Sequence, residues 1–220
     1  MIQNHYGPII AKKALELEAI KLNVKVPFTW ASGYRMPIYN DNRRLLNDAT
    51  TRRTIAEGFK NLIEQLKIDV DNIAGTATAG IPHATTLADL LGKPLSYVRS
   101  SGKSHGLGNV IEGLGSDGSY QNQNVLLIED LISTGGSSIR ALDAIREADG
   151  VVSYCLAIFT YSLKASLDAF STLTPPCTLV TLLSYDELVA TALRSGYVDS
   201  NDAKELEKWK ADPFKWGEGR

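Results

Sequence analysis

The chain has 220 residues, of which 44% are hydrophobic and 22% are charged. This composition excludes a disordered chain and suffices for one sizeable core, so we expect a single domain over residues 1–220. The formal net charge is −2, from 23 Lys and Arg residues against 25 Asp and Glu residues. That balance argues against nucleic-acid or membrane-surface partners that are bound through bulk charge.

The cysteine content and the first residues indicate a cellular compartment. Cys155 and Cys177 are the only cysteines, too few for a disulfide framework, and we interpret both as reduced thiols. Residues 1–5 lack the basic-then-apolar pattern of a signal peptide, and no apolar stretch is long enough to span a bilayer. The sequence therefore predicts a cytoplasmic protein.

Apolar spacing predicts the elements in chain order. A period of three and four residues predicts a helix over 10–22, and a second helix over 55–66 has Asp48 or Thr50 as its cap. Residues 27–33 are polar and aromatic, which indicates a loop or a short irregular strand. From residue 70 onward, apolar strands alternate with helices. The predicted strands are 70–76, 95–98, 124–129, 151–161 and 178–183, and the predicted helices between them are 79–91, 137–148 and 163–170.

Continuous apolar strands separated by helices indicate a parallel sheet that is covered on both faces, an α/β fold of the Rossmann-like kind. Two polar helices follow Tyr185. Ligands of such sheets bind beyond the carboxyl ends of the strands. We therefore expect the functional residues in the loops that follow Thr76, Val98 and Glu129.

The most informative segment is 125–138, where an apolar strand leads into Glu129 and Asp130 and then into a hydroxyl-rich and glycine-rich turn that opens a helix. Unpaired N–H groups at a helix start suit a phosphate monoester. The two acids would repel phosphate, so we expect them to face sugar hydroxyls or a hydrated Mg²⁺ ion. A Walker-type loop is excluded because the segment has no lysine.

This segment resembles the phosphoribosyl diphosphate (PRPP) motif of type I phosphoribosyltransferases. Three further segments, 28–43, 75–82 and 97–106, resemble the N-terminal segment, the diphosphate-side loop and the mobile catalytic loop of the orotate-specific members. The resemblance implies the type I phosphoribosyltransferase fold, with an N-terminal hood over 1–48, a core over 49–185 and C-terminal helices over 186–220. It also implies transfer of phosphoribosyl from PRPP to orotate in pyrimidine biosynthesis, with Mg²⁺ carried by PRPP and Glu129 and Asp130 able to contact that ion through water.

The resemblance also implies roles for individual residues. The implied PRPP-binding residues are Thr78, Arg99, Lys103, His105, Glu129, Asp130, Leu131, Ile132, Ser133, Thr134, Gly135, Gly136 and Ser137. The implied catalytic residues are Arg99, Lys103, His105 and Asp130. The implied orotate-binding residues are Ser133, Arg43 and Arg35, because a guanidinium group suits the orotate carboxylate.

The residue types around Lys103 also fit the transfer of a phosphoribosyl group, apart from the resemblance. Arg99, Lys103 and His105 are flanked by glycines, so they could close over a departing diphosphate. Solvated charges in a surface loop are the alternative interpretation. The resemblance further implies a homodimer in which loop 99–108 is shared across subunits.

Three positions depart from one branch of the family. Ala31, Ser100 and the pair Tyr161–Ser162 stand where that branch has basic residues, so those contacts are not transferred here. Arg35 or Arg43 could make part of the contacts that those basic residues make in the other branch. The rival functions are a purine or xanthine phosphoribosyltransferase, against which the segment 30–43 argues, and a PRPP-sensing regulator, against which the retained loop and acid pair argue.

Overall fold

The computed structural model describes residues 4–30, 33–100 and 110–218. Within these ranges, six strands form a central sheet in the order β10-β9-β8-β5-β6-β7, and all neighbours are parallel except β6 and β7. The strands of this sheet are β5 (Asn72–Thr76), β6 (Leu95–Val98), β7 (Ile111–Glu112), β8 (Asn124–Ile132), β9 (Val151–Thr160) and β10 (Thr178–Ser184). The α/β class with a mostly parallel sheet is confirmed.

Helices cover both faces of the sheet, with one buried apolar cluster on each side. The described helices are α1 (Tyr6–Glu16), α2 (Ala49–Leu66), α3 (Gly80–Leu91), α4 (Gly136–Glu147), α5 (Lys164–Ser171), α6 (Tyr185–Arg194) and α7 (Ser200–Ala211). The predicted cap of α2 is confirmed, because the Asp48 carboxylate accepts hydrogen bonds from the N–H groups of Thr50 and Thr51 at 3.2 and 3.3 Å. In the part of the chain that the structure describes, no helix is both long and apolar enough to cross a bilayer.

The predicted helix over 10–22 is wrong in its second half. The helix α1 ends at Glu16, and Ile20–Leu22 form strand β1, which pairs with β4 (Ile38–Asn40). Ile20 and Leu22 are buried on the same face of β1, an alternation that also fits a helical spacing over so few residues. Antiparallel pairing with β4 therefore decides the conformation of this segment.

Strand β8 is longer than predicted, because it continues past Glu129 to Ile132. Leu131 and Ile132 pair with Phe159 and Thr160 of β9, so the apolar side chains after the acid pair extend the ladder. The acid pair consequently lies inside a strand rather than in the loop that follows it. This placement fixes both acids on a rigid element.

The N-terminal strands and the C-terminal helices pack against each other beside the carboxyl edge of the sheet. The short strands β2 (Phe28–Thr29) and β3 (Arg35–Met36) form a second antiparallel pair. The indole Nε1–H of Trp209 in α7 donates to the Met36 sulfur at 3.0 Å, and Trp209 is fully buried. Cys155 and Cys177 are both buried free thiols, as predicted.

Candidate active site

A cavity of about 460 Å³, here called the central cavity, opens at the carboxyl ends of β5 and β8. Its walls come from the 3₁₀ segment that follows β4, the loop after β5, the end of β8 and the turn that opens α4. The lining residues are Asn40, Asp41, Asn42, Arg43, Thr76, Ala77, Thr78, Ala79, Glu129, Asp130, Leu131, Ser133, Thr134, Gly135, Gly136, Ser137 and Ser138. The two segments that the sequence singled out after Thr76 and Glu129 therefore meet in one cavity.

The acid pair forms one wall of the central cavity. The Glu129 carboxylate accepts a hydrogen bond from the Ser138 hydroxyl at 3.0 Å and another from the Asp130 N–H at 3.0 Å. Burial, together with the neighbouring Asp130 charge, raises the pKa of Glu129 to about 8. Burial also raises the pKa of Asp130, which Arg43 partly opposes. Two desolvated acids in contact favour a partner that supplies hydroxyl groups or positive charge.

The start of α4 supplies hydrogen-bond donors to the same cavity. Gly135 precedes the helix with φ of +87° and offers no side-chain cap. The first intrahelical bond of this turn runs from the Ile139 N–H to the Gly135 carbonyl at 3.0 Å, so the preceding N–H groups of the first turn have no partner in the helix. A side chain at Gly135 would also meet the Phe170 ring at 3.1 Å. This turn is suited to a phosphate group.

The loop after β5 approaches the acid strand closely. A Cβ atom on Gly80 would lie 2.6 Å from the Ile128 carbonyl oxygen, so only glycine lets α3 begin against β8. The peptide bond between Ala77 and Thr78 is cis. Thr78 and the acid pair therefore line the same central cavity.

A second cavity of about 390 Å³, the aromatic cavity, adjoins the first. It is lined by Thr29, Trp30, Tyr39, Asn40, Leu131, Ser133 and Tyr161. The rings of Trp30 and Tyr161 have centroids 5.6 Å apart, and Tyr161 contacts Trp209 edge-on at 5.7 Å. The two tilted aromatic rings and the mostly apolar wall suit a planar ring.

The two cavities share Asn40, Leu131 and Ser133. A ligand that spans this shared wall would place one part beside the phosphate-binding turn and a planar part beside Trp30 and Tyr161. The geometry therefore accommodates a sugar phosphate and a ring system in direct contact. Bringing two reactants together in this way lowers the entropic cost of their reaction.

A third cavity of about 330 Å³, the edge cavity, shares Thr76, Ala77 and Ser137 with the central cavity and is also lined by Arg99. The Arg99 guanidinium forms an ion pair with Glu112 at 3.3 Å. The Arg99 N–H donates to the Val110 carbonyl at 2.8 Å, which brings the two ends of the intervening segment together at this cavity. Lys103 and His105 lie outside the described residues.

Of the described residues that are predicted to bind PRPP, all but Arg99 and Ile132 line the central cavity. Arg99 lines the edge cavity instead. Ile132 is fully buried in the core, and its carbonyl accepts from the Tyr161 N–H, so its side chain cannot contact a ligand. Arg35 is exposed on β3 and lines none of these three cavities. Arg43 lines the central cavity and pairs with Asp41 at 2.5 Å.

Sequence reasoning missed several residues of these walls. Asn40 and Asn42 line the central cavity, and the Asn42 amide donates to the Asp130 carbonyl at 2.7 Å. Tyr161, which stands where one branch of the family has a basic residue, lines the aromatic cavity with Trp30. Its place directly after the long strand β9 was the available signal, because that position lies at the ligand edge of the sheet.

Comparison with known proteins shows the family of this chain. Residues 43–164 match the phosphoribosyl transferase domain family. The chain is 48% identical over 211 residues to the orotate phosphoribosyltransferase of Listeria monocytogenes, covering 94% of this chain and 97% of that one. It is 46% identical over 208 residues to the enzyme of the same name from Enterococcus faecalis, covering 94% and 96%.

Solved structures show the same fold. The crystal structure of orotate phosphoribosyltransferase from Aeropyrum pernix aligns with a TM-score of 0.69 and 26% identity, over 86% of this chain and 99% of that one. The Mycobacterium tuberculosis enzyme in complex with PRPP aligns with a TM-score of 0.63 and 21% identity, over 82% and 97%; at that identity the likeness concerns the fold alone.

The acid pair, the open helix start and the domain match define a phosphoribosyltransferase of type I. Within that class, the chain belongs to the orotate phosphoribosyltransferase family. The family resemblance inferred from the sequence motifs is confirmed.

Proposed function

We propose that this protein transfers the phosphoribosyl group from PRPP to orotate and releases orotidine 5′-monophosphate and diphosphate. The ring nitrogen N1 of orotate loses its proton and forms a bond to the anomeric carbon. The bond from that carbon to the diphosphate oxygen breaks, and its electron pair leaves with the diphosphate. The observation that carries the proposal is the shared wall of the two cavities, Asn40, Leu131 and Ser133. Relatives at 46–48% identity that carry this enzyme name support it.

The central cavity supplies the groups that PRPP needs. The open start of α4 and the hydroxyls of Thr134 and Ser137 line one end, where they suit the 5′-phosphate. Glu129 and Asp130 also line this cavity, and their carboxylates suit the ribose hydroxyls as hydrogen-bond acceptors. The Thr78 side of the cavity and Arg99 in the adjoining edge cavity are suited to the diphosphate.

Magnesium fits the acid pair when PRPP carries it. Burial raises the pKa of both Glu129 and Asp130, and the Asp130 charge raises that of Glu129 further. A nearby divalent cation favours the charged form of both acids. Oxygen ligands, including water, are those that Mg²⁺ prefers. When bound with diphosphate, the ion offsets the negative charge that leaves with this group.

The segment around Lys103 completes the proposal. Lys103 and His105 escort the departing diphosphate together with Arg99, and this loop, 99–108, serves the site of a neighbouring subunit in a homodimer. The bond from Arg99 N–H to the Val110 carbonyl supports a loop that leaves and returns at the edge cavity. Arg43 and Arg35 remain the proposed readers of the orotate carboxylate, Arg43 from the central cavity and Arg35 from the hood.

One assay tests the proposal. The protein is incubated with PRPP, Mg²⁺ and one of five bases: orotate, uracil, hypoxanthine, guanine or xanthine. We expect orotate alone to be consumed, with one diphosphate released per orotate. Consumption of a purine with orotate inert would replace the proposal by a purine or xanthine phosphoribosyltransferase. PRPP binding without turnover of any base would indicate a sensing protein.

A further inference from the structure

Asn40 presents an unsatisfied amide between the two cavities. It is the last residue of β4 and lines both the central and the aromatic cavity. Its Nδ2 and Oδ1 atoms are both screened from solvent, and neither has a hydrogen-bond partner within the described ranges. An unpaired buried amide destabilises a fold, so its presence in a cavity wall points to a ligand that supplies the missing partners.

The neighbours of Asn40 on its strand are apolar, so an apolar residue would be expected at position 40. Ile38, two residues earlier on the same strand face, is fully buried, and Ile20 pairs opposite Asn40 on β1. A leucine of similar size would fill the position without unsatisfied polar atoms. The amide is therefore costly to the fold and useful only to something that enters the cavities.

We infer that Asn40 is a specificity-determining residue that hydrogen-bonds the lactam edge of the base, a ring carbonyl beside a ring N–H. The inference rests on the proposed function. An asparagine amide presents one donor and one acceptor side by side, which matches such an edge. The orotate carboxylate offers only acceptors, so it would repel the Asn40 Oδ1 atom. Because both amide atoms are screened from solvent, the side chain reaches the ligand by changing its χ1 rotamer, and its soft final torsion then aligns the amide with the base.

The position of Asn40 selects one edge of orotate. The reacting N1 must lie at the shared wall, because the ribose occupies the central cavity and the ring occupies the aromatic cavity. The groups beside N1 are the C2 carbonyl and the carbon that bears the carboxylate. Nδ2 therefore donates to the C2 carbonyl, and Oδ1 accepts from N3–H. The other shared residues are Leu131, which is apolar, and Ser133, whose hydroxyl is a single group.

The test compares Asn40→Leu with the parent enzyme and with Asn201→Leu, a substitution at an exposed position at the start of α7. We expect Asn40→Leu to raise the KM for orotate about tenfold and to change the KM for PRPP less than about twofold, since one or two hydrogen bonds to the base are lost. Its melting temperature without ligand should equal or exceed that of the parent, because an unsatisfied buried amide has been removed. Asn201→Leu should leave both KM values unchanged.

A base analogue locates the contact. In 2-thioorotate a sulfur, which is a weak acceptor, replaces the C2 oxygen. The ratio of kcat/KM for orotate to kcat/KM for 2-thioorotate should be larger in the parent than in the Asn40→Leu variant. An equal preference in both enzymes would overturn the assignment to the C2 carbonyl.

The outcomes separate the inference from the proposed function. If the parent does not consume orotate, the proposed function fails. If the parent is active and Asn40→Leu keeps the parental KM for orotate, the inference is overturned. A lowered melting temperature with equal losses for both substrates would assign Asn40 a structural role. If Asn40→Leu does not fold, the same KM values and melting temperature are measured on Asn40→Ala, whose side chain is not branched.

Discussion

The Ser138 hydroxyl donates a buried hydrogen bond of 3.0 Å to the Glu129 carboxylate, which ties the end of β8 to the first turn of α4. The acid strand and the phosphate-binding turn are thereby held as one unit. Glu129 is only 5% exposed, so its charge is poorly solvated. The electrostatic state of this residue consequently affects both the fold and the cavity that it lines.

Glu129→Gln should flatten the dependence of stability on pH. The pKa of Glu129 is raised from 4.5 to about 8, so the folded state retains a proton that the unfolded state loses. Its contribution to stability is fully present below about pH 4.5 and is lost as pH rises through about 8. Glutamine cannot ionise. The free energy of unfolding, measured with urea, should fall between pH 5 and pH 8.5 in the parent. We expect this fall to be smaller in the variant by roughly 1–3 kcal/mol. Parallel curves for the two proteins would contradict this.

Asp130→Asn should weaken PRPP binding far more than it weakens the fold. The Asp130 side chain lines the central cavity, while its backbone carbonyl, which the substitution keeps, accepts from Asn42. Loss of a charged acceptor for ribose hydroxyls should reduce PRPP affinity by about 10- to 100-fold. Calorimetry with PRPP and Mg²⁺ measures this, with Asp168→Asn on the exposed face of α5 as the control. Equal affinity in Asp130→Asn and parent would show that the acid is structural.

Mixed dimers should reveal whether loop 99–108 acts on the neighbouring subunit. Lys103→Ala and Asp130→Asn are each expected to be nearly inactive. If the loop acts in trans, a mixed dimer has one site with both lesions and one with neither. Statistical subunit exchange then restores about a quarter of the parental activity.

The same mixture shows no recovery if each loop serves its own subunit, because every site keeps one lesion. Mixing two preparations of the same variant provides the background rate. Subunit exchange is verified with differently labelled chains, so that a failure to exchange is not mistaken for action in cis.

Trp209→Leu should lower both stability and affinity for orotate. Trp209 is fully buried and contacts Tyr161, which lines the aromatic cavity, as well as Tyr185. The smaller side chain leaves a void, and we expect a loss of about 2–4 kcal/mol in the free energy of unfolding. The KM for orotate should rise more than the KM for PRPP because Tyr161 loses its support. Phe214→Leu, at a 44% exposed position on the same tail, should change stability by less than about 0.5 kcal/mol.

The predictable parts of this fold are those with strong local signals. The core strands were predicted because continuous apolar runs specify a doubly covered sheet, as for the four consecutive apolar residues 125–128 of β8. The two-residue strand β7 was missed, since Ile111 and Glu112 alone carry no period. The PRPP turn was predictable because its residues are consecutive. The aromatic cavity was not, because Trp30, Tyr161 and Trp209 meet only through tertiary packing.

The carboxyl-terminal tail bears on how the protein is best labelled. A Cβ atom on Gly217 would lie 2.3 Å from the Arg35 carbonyl oxygen, so the tail runs directly against β3. A fluorophore attached near Gly217 would therefore report on β3. One attached near Asn4, whose amide donates to the Leu182 carbonyl of β10, would instead report on an edge of the central sheet.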